Sequence, residues 1–220
     1  MKTITQNLQK IKSSLENKPQ INIVVVTKTR SPEEIQEAIA AGATSIGENR
    51  VQEAEQKFPK IKNIEKAEKR LIGRLQSNKA KKAVKIFDTI DSVDSLKLSQ
   101  KISKAAEDLG KKQRVLLQIN SSGESTKAGF GLNNKKEILE CINMSGIKVE
   151  GLMTMGPNTQ EVDLIAKSFQ KTKKLFDELN ELENVKMKTL SMGMSGDYLI
   201  AVREGSTSIR VGTAIFGPRV

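Results

Sequence analysis

Short apolar runs alternate with longer amphipathic stretches along the chain. Ile23-Val24-Val25-Val26-Thr27-Lys28 opens the series. Four apolar, mostly β-branched residues in a row predict a strand buried on both faces, with Lys28 as its last residue. Ser31-Pro32-Glu33-Glu34 then reads as a helix start: a capping serine, proline at the first helical position and acids in the first turn. That helix carries Ile35, Ala38 and Ile39 and stops near Gly42. Further strands are predicted over 44–49, 70–73, 89–93, 114–120, 149–155, 189–193 and 208–212. Helices are predicted over 50–58, 77–87, 94–109, 133–143, 160–182 and 198–204, with Gly110 ending the fourth of the series. Residues 121–131 read as a long, polar, glycine-rich loop. Thr3 to Lys18, within the first 20 residues, predict an extra helix outside or beneath the rest.

Eight strands, with helices between them and no linker or low-complexity break, predict one α/β domain over residues 1–220, a single (β/α)8 barrel of the TIM type. A doubly wound sheet is the alternative, but the near-equal spacing of the units favours closure. In such a barrel the functional face is the one at the C-terminal ends of the strands. Read in order, those ends are Lys28, Asn49, Gly73-Arg74, Asp91-Ser92, Asn120, Thr154, the segment Ser191-Met192-Gly193-Met194-Ser195, and Arg210-Val211-Gly212-Thr213.

Composition narrows the chemistry. The 220 residues include no histidine, no tryptophan, one cysteine (Cys141) and one tyrosine (Tyr198). Triads that use histidine and histidine-based zinc sites are therefore excluded, and there is no disulfide framework. A reducing, cytoplasmic setting fits this cysteine usage. The N-terminus is polar and lacks a signal-peptide pattern, and no apolar run is long enough to span a membrane. The net charge of +11, from 37 basic and 26 acidic residues, invites a nucleic-acid reading. The lysines, however, are interleaved with acids along helical stretches and few aromatics accompany them, so they read as a solvated surface with no specific nucleic-acid site.

What remains is the amine of Lys28. A lysine at the rim of a buried strand is partly withdrawn from water, which brings its neutral, nucleophilic form within reach and suits it to Schiff-base formation with an aldehyde. The alternative is a lysine snorkelling to solvent. The seventh and eighth strand ends read as a phosphate site. Ser191 and Ser195 bring hydroxyls into a glycine-containing segment that leads into a helix, and Gly212-Thr213 adds a close-approach backbone and another hydroxyl. An amine facing such a cradle describes a phosphorylated aldehyde as ligand. Arg210 cannot give up a proton. Facing a pyridine nitrogen, it would leave that nitrogen unprotonated and weaken the ring as an electron sink. A salt bridge from Arg210 to Glu48 or Asp91 is an equally good reading of the spacing.

Together these segments resemble the pyridoxal-phosphate homeostasis protein family, whose barrel is like the N-terminal domain of fold-type III pyridoxal-phosphate enzymes such as alanine racemase. The resemblance is carried by Val25-Val26-Thr27-Lys28-Thr29, Gly47-Glu48-Asn49-Arg50-Val51-Gln52-Glu53, Ile72-Gly73-Arg74-Leu75-Gln76-Ser77-Asn78-Lys79, Gly151-Leu152-Met153-Thr154, Ser191 to Asp197 and Gly205 to Gly217. It implies pyridoxal 5′-phosphate bound as an imine on Lys28. It further implies phosphate contacts near Ser195, Gly212 and Thr213, Arg210 at the ring nitrogen, and Asn49 lining the site. It also implies a monomer. Two departures stand out. Lys69-Arg70-Leu71-Ile72-Gly73 replaces the family's usual Trp-His-Phe-Ile-Gly, and Arg50 stands where the family often has tyrosine.

The leading expectation is a non-catalytic protein that holds and buffers pyridoxal phosphate in the cytoplasm and passes it to apo-enzymes. The alternative is a racemase of the alanine racemase type. Such enzymes add a β-rich domain and a tyrosine opposite the lysine, and Tyr198, in a helix after the seventh strand, is poorly placed for that role. A cofactor-free Schiff-base aldolase would leave Arg210 without a task.

Overall fold

The computed structural model describes residues 3–15, 17–18, 20–124 and 128–218. The strands are β1 (Asn22–Val26), β2 (Ser45–Glu48), β3 (Glu68–Leu71), β4 (Thr89–Val93), β5 (Gln113–Asn120), β6 (Phe130–Gly131), β7 (Ile147–Thr154), β8 (Thr189–Ser191) and β9 (Ser208–Val211). The α-helices are α1 (Ile4–Ser13), α2 (Pro32–Ala40), α3 (Val51–Lys57), α4 (Ala80–Ile86), α5 (Leu96–Glu107), α6 (Lys135–Ile142), α7 (Val162–Asn180), α8 (Tyr198–Arg203) and α9 (Thr213–Phe216). Eight of the strands form a ring, β1-β2-β3-β4-β5-β7-β8-β9, that returns to β1, with every pairing parallel. Closure is made by Val24 opposite Arg210 and Val25 opposite Val211. The expected (β/α)8 barrel is the fold.

The local signals account for much of this. Ser31 and Glu34 form the capping box at α2, with Pro32 in its first turn. Thr3 and Gln6 do the same for α1. That helix buries Leu8 and Ile11 in one cluster with Val25, Ile209, Val211 and Ile215. Asn7 Nδ2 ties it to the carbonyl of Ile215 at 2.9 Å, so α1 packs on the outside of the barrel beside its closing strands. Among the described residues no helix is long and apolar enough to cross a membrane.

Several expectations need correction. β1 ends at Val26, so Lys28 lies in the turn beyond it. Thr27 donates its N–H to Gly47 O (2.9 Å), Arg30 N–H returns to Thr27 O (3.0 Å), and the chain has already turned. β3 begins at Glu68 and ends before Ile72, although Ile72 N–H still reaches Glu48 O at 2.9 Å. The expected 77–87 helix begins as a 3-10 turn, Ser77–Lys79. Two further 3-10 turns, Phe58–Lys60 and Ile64–Lys66, fill the stretch before β3. Within the expected loop, Phe130–Gly131 pairs with the end of β5, Ile119 opposite Phe130. Residues 125–127 of that loop lie outside the described residues.

Alternate strand residues point to opposite faces. Val25, Ile46, Leu71, Ile90, Leu190 and Ile209 pack outward in the apolar clusters beneath the helices. The opposite parity puts Arg70, Asp91, Ser191 and Arg210 into the lumen, all nearly or fully buried. Arg70 bonds Asp91 through Nε (3.1 Å to each oxygen) and donates through Nη1 to Glu68 (2.8 Å). Its Nη2 also lies 2.9 Å from Asp91. Burial opposes its charge, but the two carboxylates outweigh that and raise its pKa above the ordinary arginine value. Glu68 also takes the Thr89 hydroxyl (2.6 Å) and Arg114 (2.9 Å).

Glu68 makes this network pH-sensitive. Burial pushes its carboxyl up, but Arg70, the Thr89 hydroxyl and Arg114 prevail and hold it below the ordinary value of 4.5. A depressed folded-state pKa gives stability that is present above pH 4.5 and is lost as pH falls through the folded value. Urea unfolding across pH 3 to 7 is expected to show this loss, and Glu68→Gln to flatten it. An unchanged acid slope in that variant would contradict the assignment.

Candidate functional site

A cleft of about 310 Å³ opens at the C-terminal ends of the strands. Lys28, Asn49, Ser195, Arg210, Gly212 and Thr213 all line it. Lys28 enters from the turn after β1 and is half-buried. Asn49 follows β2 directly. Gly73 permits its position: a Cβ there would come within 2.4 Å of Asn49 O, so the chain leaving β3 can pass over Asn49 only without a side chain.

Ser195 comes from the β8–α8 connection. Gly193, at φ +92, turns that connection back, in a conformation side-chain-bearing residues rarely adopt. Ser195 Oγ accepts the N–H groups of Gly212 and Ala214, each at 3.3 Å. Two amides at the start of α9 thus converge on one oxygen, and Thr213, between them in sequence, also lines the cleft. This is donor chemistry suited to an anion's oxygens.

Arg210 is fixed in place. Its Nη1 donates to Ser191 O (3.0 Å) and Ser191 Oγ (2.6 Å), and its Nη2 to Thr154 O (2.8 Å). Burial draws its pKa below the ordinary value, while the charges of Asp91 and Asp197 work the other way. The expected alternative for Arg210 is not seen: Glu48 pairs with Lys57 and Asp91 with Arg70. Ser191, expected among the cofactor contacts, does not line the cleft. It is fully buried behind Arg210 and reaches the site through that side chain. The Ser121, Thr154 and Ser168 hydroxyls form a chain on the other side, 2.9 and 2.7 Å apart, that braces the end of β7.

Sequence reasoning missed other lining residues, Val26, Arg30, Ile72 and Met155, while Met194 and Gly196 join the lining from the segment around Ser195. Arg30 is held by Gly217 O (2.8 Å), by Glu34 (3.3 Å) and by the face of Phe216, 5.2 Å from the ring centre. The approach of α9 to the turn after β1 has no local sequence signal. Also missed was a buried ionic cluster beneath Lys28. Lys57 Nζ donates to Glu48 (2.9 Å), Glu53 (2.8 Å) and Thr27 O (3.0 Å). The four-residue spacing of Glu53 and Lys57 on one helix face was a readable signal for part of it. Burial pushes the Glu48 carboxyl up, against the pull of Thr27 and Lys57. At Glu53 burial also raises the pKa, but Lys57 and the Thr29 N–H prevail and lower it.

Tyr198 lies away from the cleft. Its hydroxyl is 3.1 Å from Ser14 Oγ, beside α1, so it is not opposite Lys28 as a racemase tyrosine would be.

The sequence profile of the alanine racemase N-terminal domain matches residues 1–220. A pyridoxal phosphate homeostasis protein of Aquifex aeolicus is 39% identical over 194 residues, which is 88% of this chain and 85% of that one. One from Synechocystis sp. is 37% identical over 203 residues, 92% and 93% of the two chains. The chain belongs to the pyridoxal phosphate homeostasis protein family. Among solved structures, that of PipY from Synechococcus elongatus PCC7942 with pyridoxal phosphate (PLP) bound superposes with a TM-score of 0.90. It is 34% identical, over 98% of this chain and 100% of that one. An alanine racemase of Clostridium difficile 630 shares the fold, with a TM-score of 0.83 at 22% identity over 99% of this chain and 57% of its own length. This chain thus shares the racemase barrel's fold, and the homeostasis proteins named here match it over 85% and 93% of their lengths.

Proposed function

We propose that this chain is a non-catalytic holder of pyridoxal 5′-phosphate, linked covalently and reversibly to Lys28, that buffers the cofactor in the cytoplasm and yields it to apo-enzymes. The observation that carries the reading is that Lys28, Arg210 and the donors around Ser195 line one cleft. The donor set fits each part of that cofactor. A half-buried amine suits its aldehyde, two converging amides and two hydroxyls suit its phosphate, and a fixed guanidinium suits its ring nitrogen. When bound, the cofactor supplies an aldehyde that condenses reversibly with an amine. This chain's residues then orient and shield it. Arg210, held by Ser191 and Thr154, keeps a permanent hydrogen-bond donor in the cleft and offers no proton acceptor. Among the described residues the lining has no carboxylate, phenol or thiol to serve as a second proton carrier, which suits holding and release better than turnover. Nothing in the cleft favours the racemase reading. The similar PipY structure with PLP bound supports the choice of ligand, and we propose that the protein acts as a monomer.

The phosphate assignment has a direct test. Ser195→Ala with Thr213→Ala removes two charge-assisted hydrogen bonds, each worth roughly 1.5–3 kcal/mol. Binding of pyridoxal 5′-phosphate is expected to weaken by at least about 3 kcal/mol, more than a hundredfold, while binding of pyridoxal changes little. Equal losses for both ligands in a fluorescence titration would place the phosphate elsewhere.

A further inference from the structure

Lys28 sits in a turn whose shape its own sequence disfavours. The next residue, Thr29, has φ +62, and a β-branched side chain seldom adopts that left-handed conformation. The force that holds it there comes from α3 and β2. Thr29 N–H donates to Glu53 Oε1 at 2.6 Å. The same oxygen takes Lys57 Nζ at 2.8 Å, and that ammonium also reaches Thr27 O and Glu48. Thr27 Oγ1 completes the set by donating to Glu48 Oε1 at 2.7 Å. Both neighbours of Lys28 are therefore bonded to one ionic cluster, and neither Glu48, Glu53 nor Lys57 lines the cleft.

We propose that Glu53 and Lys57 are positioning residues for Lys28: they clamp the Thr27–Thr29 turn in its unfavourable conformation and so hold the amine toward the cleft. The inference rests on the reading of Lys28 as the point of attachment. The clamp takes no part in the condensation, in which the Lys28 nitrogen bonds the aldehyde carbon and one water leaves. It acts on how often the nitrogen is correctly placed, so its effect is independent of the phosphate cradle.

The test is the rate of adduct formation, followed by absorbance, with pyridoxal 5′-phosphate and with pyridoxal, in wild type, Glu53→Ala and Glu53→Ala/Thr29→Gly. Glu53 is part-exposed, so its truncation leaves the barrel able to fold. Misplacement of a reacting group by about 1 Å costs up to a hundredfold. A slowing of about tenfold is expected here, equal for the two aldehydes. Glycine accepts φ +62 without penalty, so Thr29→Gly is expected to recover part of the rate. Unchanged rates in Glu53→Ala overturn the clamp. Slowing without recovery by Thr29→Gly overturns it too, since the loss then belongs to the Glu53 charge and not to the turn. Borohydride trapping of wild type is the separate control: label elsewhere than Lys28 defeats the proposed function itself, whatever the variants do.

Discussion

Lys28→Ala protein is expected to fold, to form no coloured adduct and to give no borohydride-fixed cofactor on any peptide. The side chain is half-buried in a turn outside β1, so its truncation removes little packing. What it removes is the proposed covalent bond. Binding then falls back on the amides and hydroxyls around Ser195 and on Arg210, with an expected weakening of roughly a hundredfold, about 2.8 kcal/mol at 1.4 kcal/mol per decade. Reduction with borohydride followed by peptide mapping reads the first effect, and equilibrium dialysis the second. A labelled peptide surviving in the variant would mean that another lysine carries the cofactor. The same variant tests the cellular role. If it folds, fails to hold cofactor and still restores vitamin B6 and amino-acid pools in a deletion strain, the buffering role is wrong.

The largest loss of stability is expected from Asp91→Ala. Asp91 is fully buried and faces Arg70, itself only 4% exposed. Removing one partner of a buried ion pair leaves the other charged and unsolvated, a cost of about 3–5 kcal/mol, and a guanidinium cannot escape by losing its proton. Glu68 still holds Arg70 Nη1, which places the expectation toward the lower end. Arg70→Leu/Asp91→Leu removes the charge and the orphan together and is expected to unfold at a higher denaturant concentration than Asp91→Ala. Denaturation midpoints of the three proteins decide the matter. A double variant no more stable than Asp91→Ala would show that the lumen needs these polar groups for its shape.

The barrel was legible because its signals are local. Val24 and Val25 are fully buried as their apolar run implies, and the Ser31 capping box starts α2 where it should. Six of the seven named site residues lay at strand ends that a parallel barrel brings together, and these six line one cleft. The errors occur where a distant partner decides. Lys28 leaves the strand because Thr27 and Thr29 are bonded by residues of β2 and α3. Arg70 stood out only as a departure from the family pattern, yet strand parity turns it inward to Asp91, 21 residues away. Ser191 read as a ligand because a hydroxyl at a strand end suits that role, and its tie to Arg210 spans 19 residues. No single-sequence pattern encodes such pairings.

The ring closes between β1 and β9, and the cleft lies across that seam. Lys28 comes from one side, and Arg210, Gly212 and Thr213 from the other. Asn22 to Val25 meet Ser208 to Val211 over a separation of some 186 residues, the most distant strand pairing in the ring and the one with the largest loop-closure cost. A ligand that grips both sides therefore acts as a latch on the joint that ties the two ends of the chain together. The loaded protein should resist unfolding at this seam more than anywhere else, since binding to the closed form alone draws the equilibrium toward closure.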